Sequence, residues 1–418
     1  MSNSKGSHLA GGKKRVIVCP LDWGLGHATR CIPLIDEFLK QGSEILLAGD
    51  GSSIELLKQE FPGLSAIRLK GYNIRFSGKI PLPLMLLFQI PKIIFRIFKE
   101  HREIRRVIHN YNVDIIISDN RYGLWNKQAY SVFLTHQPNI IPPAGFGFIS
   151  PLLRSITRWF IRKYDQCWIP DLPGEDNLSG KLSHGFPLPE NTRFIGPLSR
   201  FYSYGSYSDA EEKELSDTIP QRPYKIVAII SGPEPQRTIF EEKVAQQLAL
   251  VPERSLIIRG LPANGDIKNY VKTGKIIYQA GQTDARSHLP TKDLYTTINA
   301  IISKSGYGVK NNAIGVYITA GTLPVIICRG GYSTLMDLAI TGNRMICIPT
   351  PGQTEQMYLA MKGYHEKKCV MADQDSFSII RCLTELEKTN GYKISTGSIQ
   401  FPVAIDDLCK AYSLRNTL

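Results

Sequence analysis

Three loops of the chain combine glycine with polar side chains, and each follows a short apolar run and precedes an amphipathic stretch. Residues 14–19 (KRVIVC) lead into Pro20-Leu21-Asp22-Trp23-Gly24-Leu25-Gly26-His27. Residues 225–230 (KIVAII) lead into Ser231-Gly232-Pro233-Glu234-Pro235-Gln236-Arg237, and residues 325–328 (VIIC) into Arg329-Gly330-Gly331-Tyr332-Ser333-Thr334. A glycine loop opening a helix presents free backbone N–H groups and the positive end of the helix dipole, which together hold an anion. Three such junctions around one cleft predict a diphosphate site, whereas each taken alone is equally a tight turn with an N-cap at Ser231 or Ser333. His27 adds acid–base chemistry. At the start of a helix the dipole disfavours imidazolium, so the neutral ring can accept a proton near pH 7. His27 is therefore the first candidate for general base, with Asp22 and Asp119 as competitors; the alternative role for His27 is substrate binding or capping.

The elements needed to hold these loops recur in both halves. Besides the three strands above, apolar runs at 44–48, 114–118, 131–134, 255–258, 275–278 and 345–348 alternate with helical stretches, including 28–41 and 333–340, the alternation expected of parallel sheets. The expected fold is α/β: two tandem Rossmann-like, doubly wound parallel-sheet domains facing a cleft, with ligands at the carboxyl ends of the strands. The boundaries read as a disordered leader (1–13), an N-terminal Rossmann-like domain (14–200), a linker rich in Tyr, Ser and charge (201–223), a C-terminal Rossmann-like domain (224–400), and a C-terminal helix (401–418) packing back on the first domain. Residues 300–307 (AIISKSGY) echo 325–332 (VIICRGGY), so 301–324 reads as an insertion.

With 43% hydrophobic and 21% charged residues the 418-residue chain is neither a disordered polymer nor a membrane bundle. Its eight cysteines contain no CxxC pair, which argues against a zinc site or a disulfide framework and fits a reducing cytosol. The most apolar window, 80–98, is broken by Pro81, Pro83 and Pro91 and is unsuited to crossing a bilayer. The formal charge is +13, and residues 68–163 carry sixteen basic against four acidic side chains. Within that quarter Leu84, Leu87, Phe88, Ile94, Phe95 and Phe98 recur at helical spacing beside Lys92, Arg96, Lys99, Arg102, Arg105 and Arg106. Such a face either lies on anionic lipid or belongs to a core-packed helix with a solvated basic side. Nucleic acid is not expected as a partner, because no recognition motif accompanies the charge.

The series WGLGHATR, FIGPLSR, SGPEPQRTIFEE, RGGYSTLMDLA and PTPGQTEQMYLA, spread over residues 14–400, resembles the two-domain GT-B glycosyltransferases with a family 28 type C-terminal domain. The resemblance implies a nucleotide-diphosphate sugar, UDP-linked, in the C-terminal half and the acceptor in the N-terminal half, with no metal and no cofactor beyond the UDP-sugar co-substrate. It puts Asp337 on the ribose hydroxyls, a role a carboxylate suits by accepting two O–H groups. Gly330, Gly331, Ser333 and Thr334 fall on the phosphates with Arg329 and the Ser231, Gly232, Gln236, Arg237 loop, and Arg200 falls near the diphosphate. Gln353, Glu355 and Gln356 fall on the sugar hydroxyls, with Glu355-Gln356 where the family has Gln-Gln. Gly24, Gly26, Asn120, His136 and Gln137 fall on the acceptor side. The expected activity is metal-independent inverting transfer of N-acetylglucosamine or another hexose to the hydroxyl of a lipid-linked or membrane-surface acceptor, by a cytoplasmic protein peripheral to the inner face of the plasma membrane. The alternatives are a nucleotide-sugar epimerase or hydrolase of the same fold and a non-catalytic nucleotide-sugar-binding protein.

Overall fold

The computed structural model describes residues 13–72, 82–142, 145–205, 224–259, 276–280 and 323–417. It contains two parallel sheets. The first is built from β1 (Arg15–Cys19), β2 (Glu44–Gly49), β3 (Ser65–Arg68), β4 (Ile115–Asp119), β5 (Tyr130–Leu134), β6 (Gln166–Ile169) and β7 (Thr192–Phe194), in the spatial order β3-β2-β1-β4-β5-β6-β7. The second holds β8 (Ile226–Ile230), β9 (Ser255–Arg259), β10 (Ile276–Ala280), β11 (Val325–Cys328), β12 (Met345–Cys347) and β13 (Val370–Met371), in the order β10-β9-β8-β11-β12-β13. The central strands are uninterrupted apolar runs such as VIV and III because helices cover both sheet faces, and Val16, Ile17, Val18, Ile115, Ile116 and Ile117 are all fully buried. In each sheet the chain reverses its direction of winding beside the first strand, between β1 and β4 and between β8 and β11. Loops leaving the carboxyl ends of these four strands therefore open onto a crevice. Strands β3, β6, β7 and β13 have no counterpart in the sequence reading: β3 (SAIR) and β7 (TRF) contain no apolar run and no fully buried residue, and β13 has only two residues.

The helix after β1, α1 (Leu25–Lys40), starts three residues earlier than the sequence pattern indicates, which puts His27 in its first turn. Gly24 caps it at φ 85°, a left-handed conformation that favours glycine. Its inner face buries Ala28, Cys31, Ile32, Leu34, Ile35 and Phe38. A hydrophobic cluster that includes Phe38 continues without a break through Met336 of α6 (Tyr332–Thr341) to Ile405 of α9 (Phe401–Thr417), so one core runs between the two sheets. The last helix is tied to the first domain by Arg193–Asp407 (2.7 Å), Arg415–Asp165 (3.0 Å) and the Tyr412 hydroxyl on Asp114.

Helices α2 (Gly51–Glu60) and α3 (Leu82–Tyr111) follow β2 and β3, α4 (Ser150–Ile161) lies between β5 and β6, and α5 (Gln236–Leu248) and α8 (Ile379–Leu386) follow β8 and β13. On α3 the core side is Ile97, Ile104 and Ile108, whereas Ile94, Phe95 and Phe98 are 47%, 70% and 54% exposed. Those three are thus surface residues, against the core-packing reading. Arg96 corrects the other half of that pattern: it is buried and paired with Glu103 at 2.8 Å, so it does not belong to the basic face. The side chains of Leu84, Leu87 and Phe88 lie outside those described, as do residues 1–12 of the leader, 206–223 of the linker and 301–322 of the insertion. No described helix is long and apolar enough to cross a membrane.

Candidate active site

The crevice gathers side chains from the ends of β1, β4 and β5. Asp119 is the last residue of β4, His136 follows β5 by two residues, and His27 and Arg30 lie one turn apart at the start of α1. Asp119 is fully buried, and its carboxylate faces His27 Nδ1 at 3.0 Å, Arg30 Nε at 3.0 Å and Arg30 Nη2. Arg30 Nη1 reaches His136 Nδ1 at 2.9 Å, and His136 Nε2 meets Glu355 Oε1 at 3.1 Å across the crevice. Since the guanidinium only donates, His136 Nδ1 accepts and its Nε2–H donates to Glu355. The His136 ring is also stacked on Tyr332, with centroids 4.2 Å apart. A continuous chain of charge therefore runs from His27 through Asp119, Arg30 and His136 to Glu355 on the first turn of α7 (Thr354–His365).

Burial is the main influence on His27, Asp119 and Glu355. It pushes His27 below its ordinary pKa of 6.5, helped by Arg30 and opposed by Asp119. For Asp119 burial acts upward, but Arg30 and His27 outweigh it and hold the carboxyl below its usual range. Glu355 behaves in the same way through His136. The outcome is a neutral imidazole beside an ionised carboxylate. His27 Nδ1 lies between Asp119 at 3.0 Å and Arg30 Nη2 at 2.8 Å; in the tautomer that donates from Nδ1 to Asp119, Nε2 is the basic nitrogen.

The first and third glycine loops touch: Ser333 Oγ donates to the Gly26 carbonyl at 2.8 Å. Gly330 has φ 69°, and a Cβ there would collide with Cys347 Sγ, so the turn before α6 requires glycine. Asp337, one turn further, is buried and accepts from Ser199 Oγ at 2.8 Å and from Arg200 at 3.0 Å. Burial raises its pKa, and Arg200 and Ser199 counter the rise. Thr334, Gly331, Gln353 and Ser231 are half-buried, and Gly232 has φ 114°.

Other expected site residues are occupied elsewhere. Asp22 is exposed and sits at the N-terminus of α2, 3.3 Å from Ser52 Oγ, and is not bonded to His27 or its partners. Arg329 is turned into its domain, stacked 4.0 Å over Phe240, with Nη2 on the Gln236 carbonyl at 2.7 Å, and burial lowers its pKa to about 10. Arg237 pairs with Glu234, Gln236 Oε1 accepts from Gln374 at 3.2 Å, and Gln356 Oε1 accepts the Thr350 N–H at 2.9 Å. Asn120, in the left-handed region at φ 53°, is buried with its Oδ1 unbonded, while Gln137 is half-buried behind His136. Arg30 was missed by the sequence reading, although an arginine three residues after a first-turn histidine must lie on the same helix face.

Residues 268–400 match the glycosyltransferase family 28 C-terminal domain. An uncharacterized glycosyltransferase of Methanosarcina acetivorans is 22% identical over 412 residues, covering 90% of this chain and 91% of the relative. A second, from Methanosarcina mazei, is 23% identical with the same coverage of both. The chain is a GT-B glycosyltransferase. Solved structures agree on the fold: SnogD from Streptomyces nogalater aligns over 95% of this chain and 99% of its own at 13% identity with a TM-score of 0.52. The spinosyn rhamnosyltransferase SpnG, complexed with thymidine diphosphate, aligns over 96% and 99% at 13% identity with the same score. In this glycosyltransferase the His27–Asp119 pair lies in the N-terminal domain, and the family 28 match covers the Gly330–Gly331 turn, Asp337 and Glu355 of the other.

Proposed function

We propose that this glycosyltransferase moves a sugar from a UDP-sugar to an acceptor hydroxyl with inversion, and that the acceptor is carried on lipid at a membrane surface. The observation that carries the chemistry is the buried His27, hydrogen-bonded to Asp119 and facing a glycine-started helix across the Ser333–Gly26 hydrogen bond. His27 Nε2 takes the proton of the acceptor hydroxyl as its oxygen attacks the anomeric carbon from the face opposite the diphosphate. The sugar–diphosphate C–O bond breaks, and the electron pair leaves with UDP. The amides at the start of α6 and the Arg200 guanidinium face that developing charge, so the reading calls on no metal. Asp337 serves the ribose hydroxyls, and Glu355, held by His136, serves the sugar. UDP is chosen over other nucleoside diphosphates on the sequence resemblance, and a nucleoside diphosphate as such is supported by the thymidine diphosphate in SpnG.

A UDP-release assay with a panel of UDP-sugars, run with and without lipid extract, tests the proposal. Transfer requires release that depends on the extract. Release that is equally fast without acceptor would mean hydrolysis, and no release with retained UDP binding would mean an epimerase, if the UDP-sugar is converted to its epimer, or a nucleotide-sugar-binding protein, if it is unchanged.

A further inference from the structure

We propose that α4 and the pocket behind it hold the phosphate of an anionic phospholipid and dock the enzyme on the bilayer that carries it. The proposal rests on the membrane-surface part of the proposed function and assigns it a site on a different helix from α3. Phe148, Leu152, Ile156 and Trp159 follow one another at spacings of four, four and three, the period of a single helix face, and are 78%, 62%, 47% and 50% exposed. Between residues 146 and 164 there is no Asp or Glu, whereas Arg154, Arg158, Arg162 and Lys163 all fall there. None of these four is in an ion pair with a described residue. An apolar stripe on a segment whose only charged side chains are cations, with a tryptophan at one end, complements the interfacial zone of an anionic membrane, where the rings enter the acyl boundary and the cations stay among the headgroups.

The pocket gives the headgroup a place. It has a volume of about 200 Å³ and lies between α4 and the turn at 186–189, lined by Pro138, Arg154, Arg158, Phe186, Pro187 and Pro189. Arg158 Nε is buried there without a hydrogen-bond partner, a cost that an oxygen acceptor removes. Arg154 lies over the Phe186 ring at 5.9 Å. Two guanidinium forks beside apolar walls match the oxygens of a phosphate diester whose chains leave along the exposed stripe. The α3 surface continues this one: Lys163 Nζ lies 4.5 Å over Trp159 and 5.8 Å over Trp125, and Trp125 is stacked on His101 of α3 at 3.7 Å. Pro138 is two residues beyond His136, so the loop that lines the pocket also enters the active site. A lipid held there lies next to the acceptor side of the crevice.

Sedimentation of the full chain with phosphatidylcholine vesicles, with and without about 30 mol% phosphatidylglycerol, tests the assignment at low and high salt. Wild type is expected to bind the anionic vesicles and to be released by salt. The double variant Arg154→Gln/Arg158→Gln should bind them about 25-fold more weakly, from about fivefold per cation, and Trp159→Ala should also lose binding with an unchanged melting temperature. A comparison pair on α3, Lys99→Gln/Arg102→Gln, should lose no more than the α4 pair. If the α4 pair binds as wild type while the α3 pair is impaired, the site on α4 is wrong and the membrane reading stands. If wild type binds neither vesicle, both fall. A stable dimer in light scattering that Trp159→Ala dissolves would show that a second copy covers the stripe, and would also overturn the proposal.

Discussion

His27 can work as a base because Arg30 compensates the carboxylate beside it. Without the guanidinium, a buried Asp119 would hold a proton on the ring and cancel the effect of burial and of the helix dipole. The acid limb of the kcat/KM profile is therefore expected below pH 6.5, the ordinary value for histidine, since the base form persists to lower pH when the pKa is depressed. Arg30→Gln should move that limb upward; a limb that stays in place would show that Arg30 only fills space. His27→Ala should lower kcat by about 10² to 10⁴-fold, or about 3 to 5.5 kcal/mol of barrier, with UDP affinity retained, because the donor loops belong to the other domain. Steady-state kinetics decides this: turnover above about a tenth of wild type would move the base role to Asp119. For Asp337→Ala the expected loss is in donor affinity, about 1.5 to 3 kcal/mol by calorimetry, the range for hydrogen bonds to a charged group. Unchanged affinity would reduce Asp337 to the partner of Ser199 and Arg200.

The strand–turn–helix unit at β11 and α6 shows how an element constrains its loop. Arg329 anchors the turn inward, Gly330 gives it a left-handed residue with no space for a side chain, and Ser333 reaches over to Gly26. Gly330→Ala combines the φ penalty with a clash against Cys347, so urea unfolding should show a loss of about 1 to 3 kcal/mol, accompanied by weaker UDP binding. A variant with wild-type stability and affinity would mean that the turn relaxes freely and that its shape is not needed for the diphosphate. Helix α4 makes the opposite point. Its exposed apolar stripe contributes nothing to the core that the structure describes, and the residues that fasten it, Thr157 and Ile161, occupy the other face.

Across the whole molecule, one hydrophobic cluster and several hydrogen bonds join the two sheets, among them Tyr332 Oη to the Pro170 carbonyl at 2.9 Å and His136 to Glu355. A ligand bound in the crevice therefore stabilises both domains together. UDP at a hundredfold excess over its Kd should raise stability by about 2.7 kcal/mol, read as a thermal shift. No shift at millimolar nucleotide would contradict the donor site. The same junction sets an acid limit. Asp119 and Glu355 have depressed folded-state pKa values, so their contribution is complete above the ordinary carboxylate values of 3.8 and 4.5 and is lost as pH falls through the lower folded ones. Melting temperatures measured through that window should fall more steeply for wild type than for the double variant Asp119→Asn/Glu355→Gln.

The repeated strand–loop–helix pattern was legible because buried parallel strands must be continuous apolar runs and the turns that follow them need glycine at positive φ. That reasoning placed the β1, β8 and β11 loops and picked out His27 without coordinates, while Asp337 was placed by the resemblance to GT-B glycosyltransferases. Four strands escaped it: β3 and β7 are short and incompletely buried, β6 has only four residues and β13 only two. Local pattern also cannot tell a charged side chain in solvent from one in a network. Only the tertiary structure put Asp22 on α2, turned Arg329 and Gln356 inward, and buried Arg30 between two histidines and a carboxylate. Sequence spacing determines which residues share a helix face or end a strand. Which of those faces meet across a crevice is decided by the packing of the two sheets, a long-range outcome that links His136 to a glutamate 219 positions away.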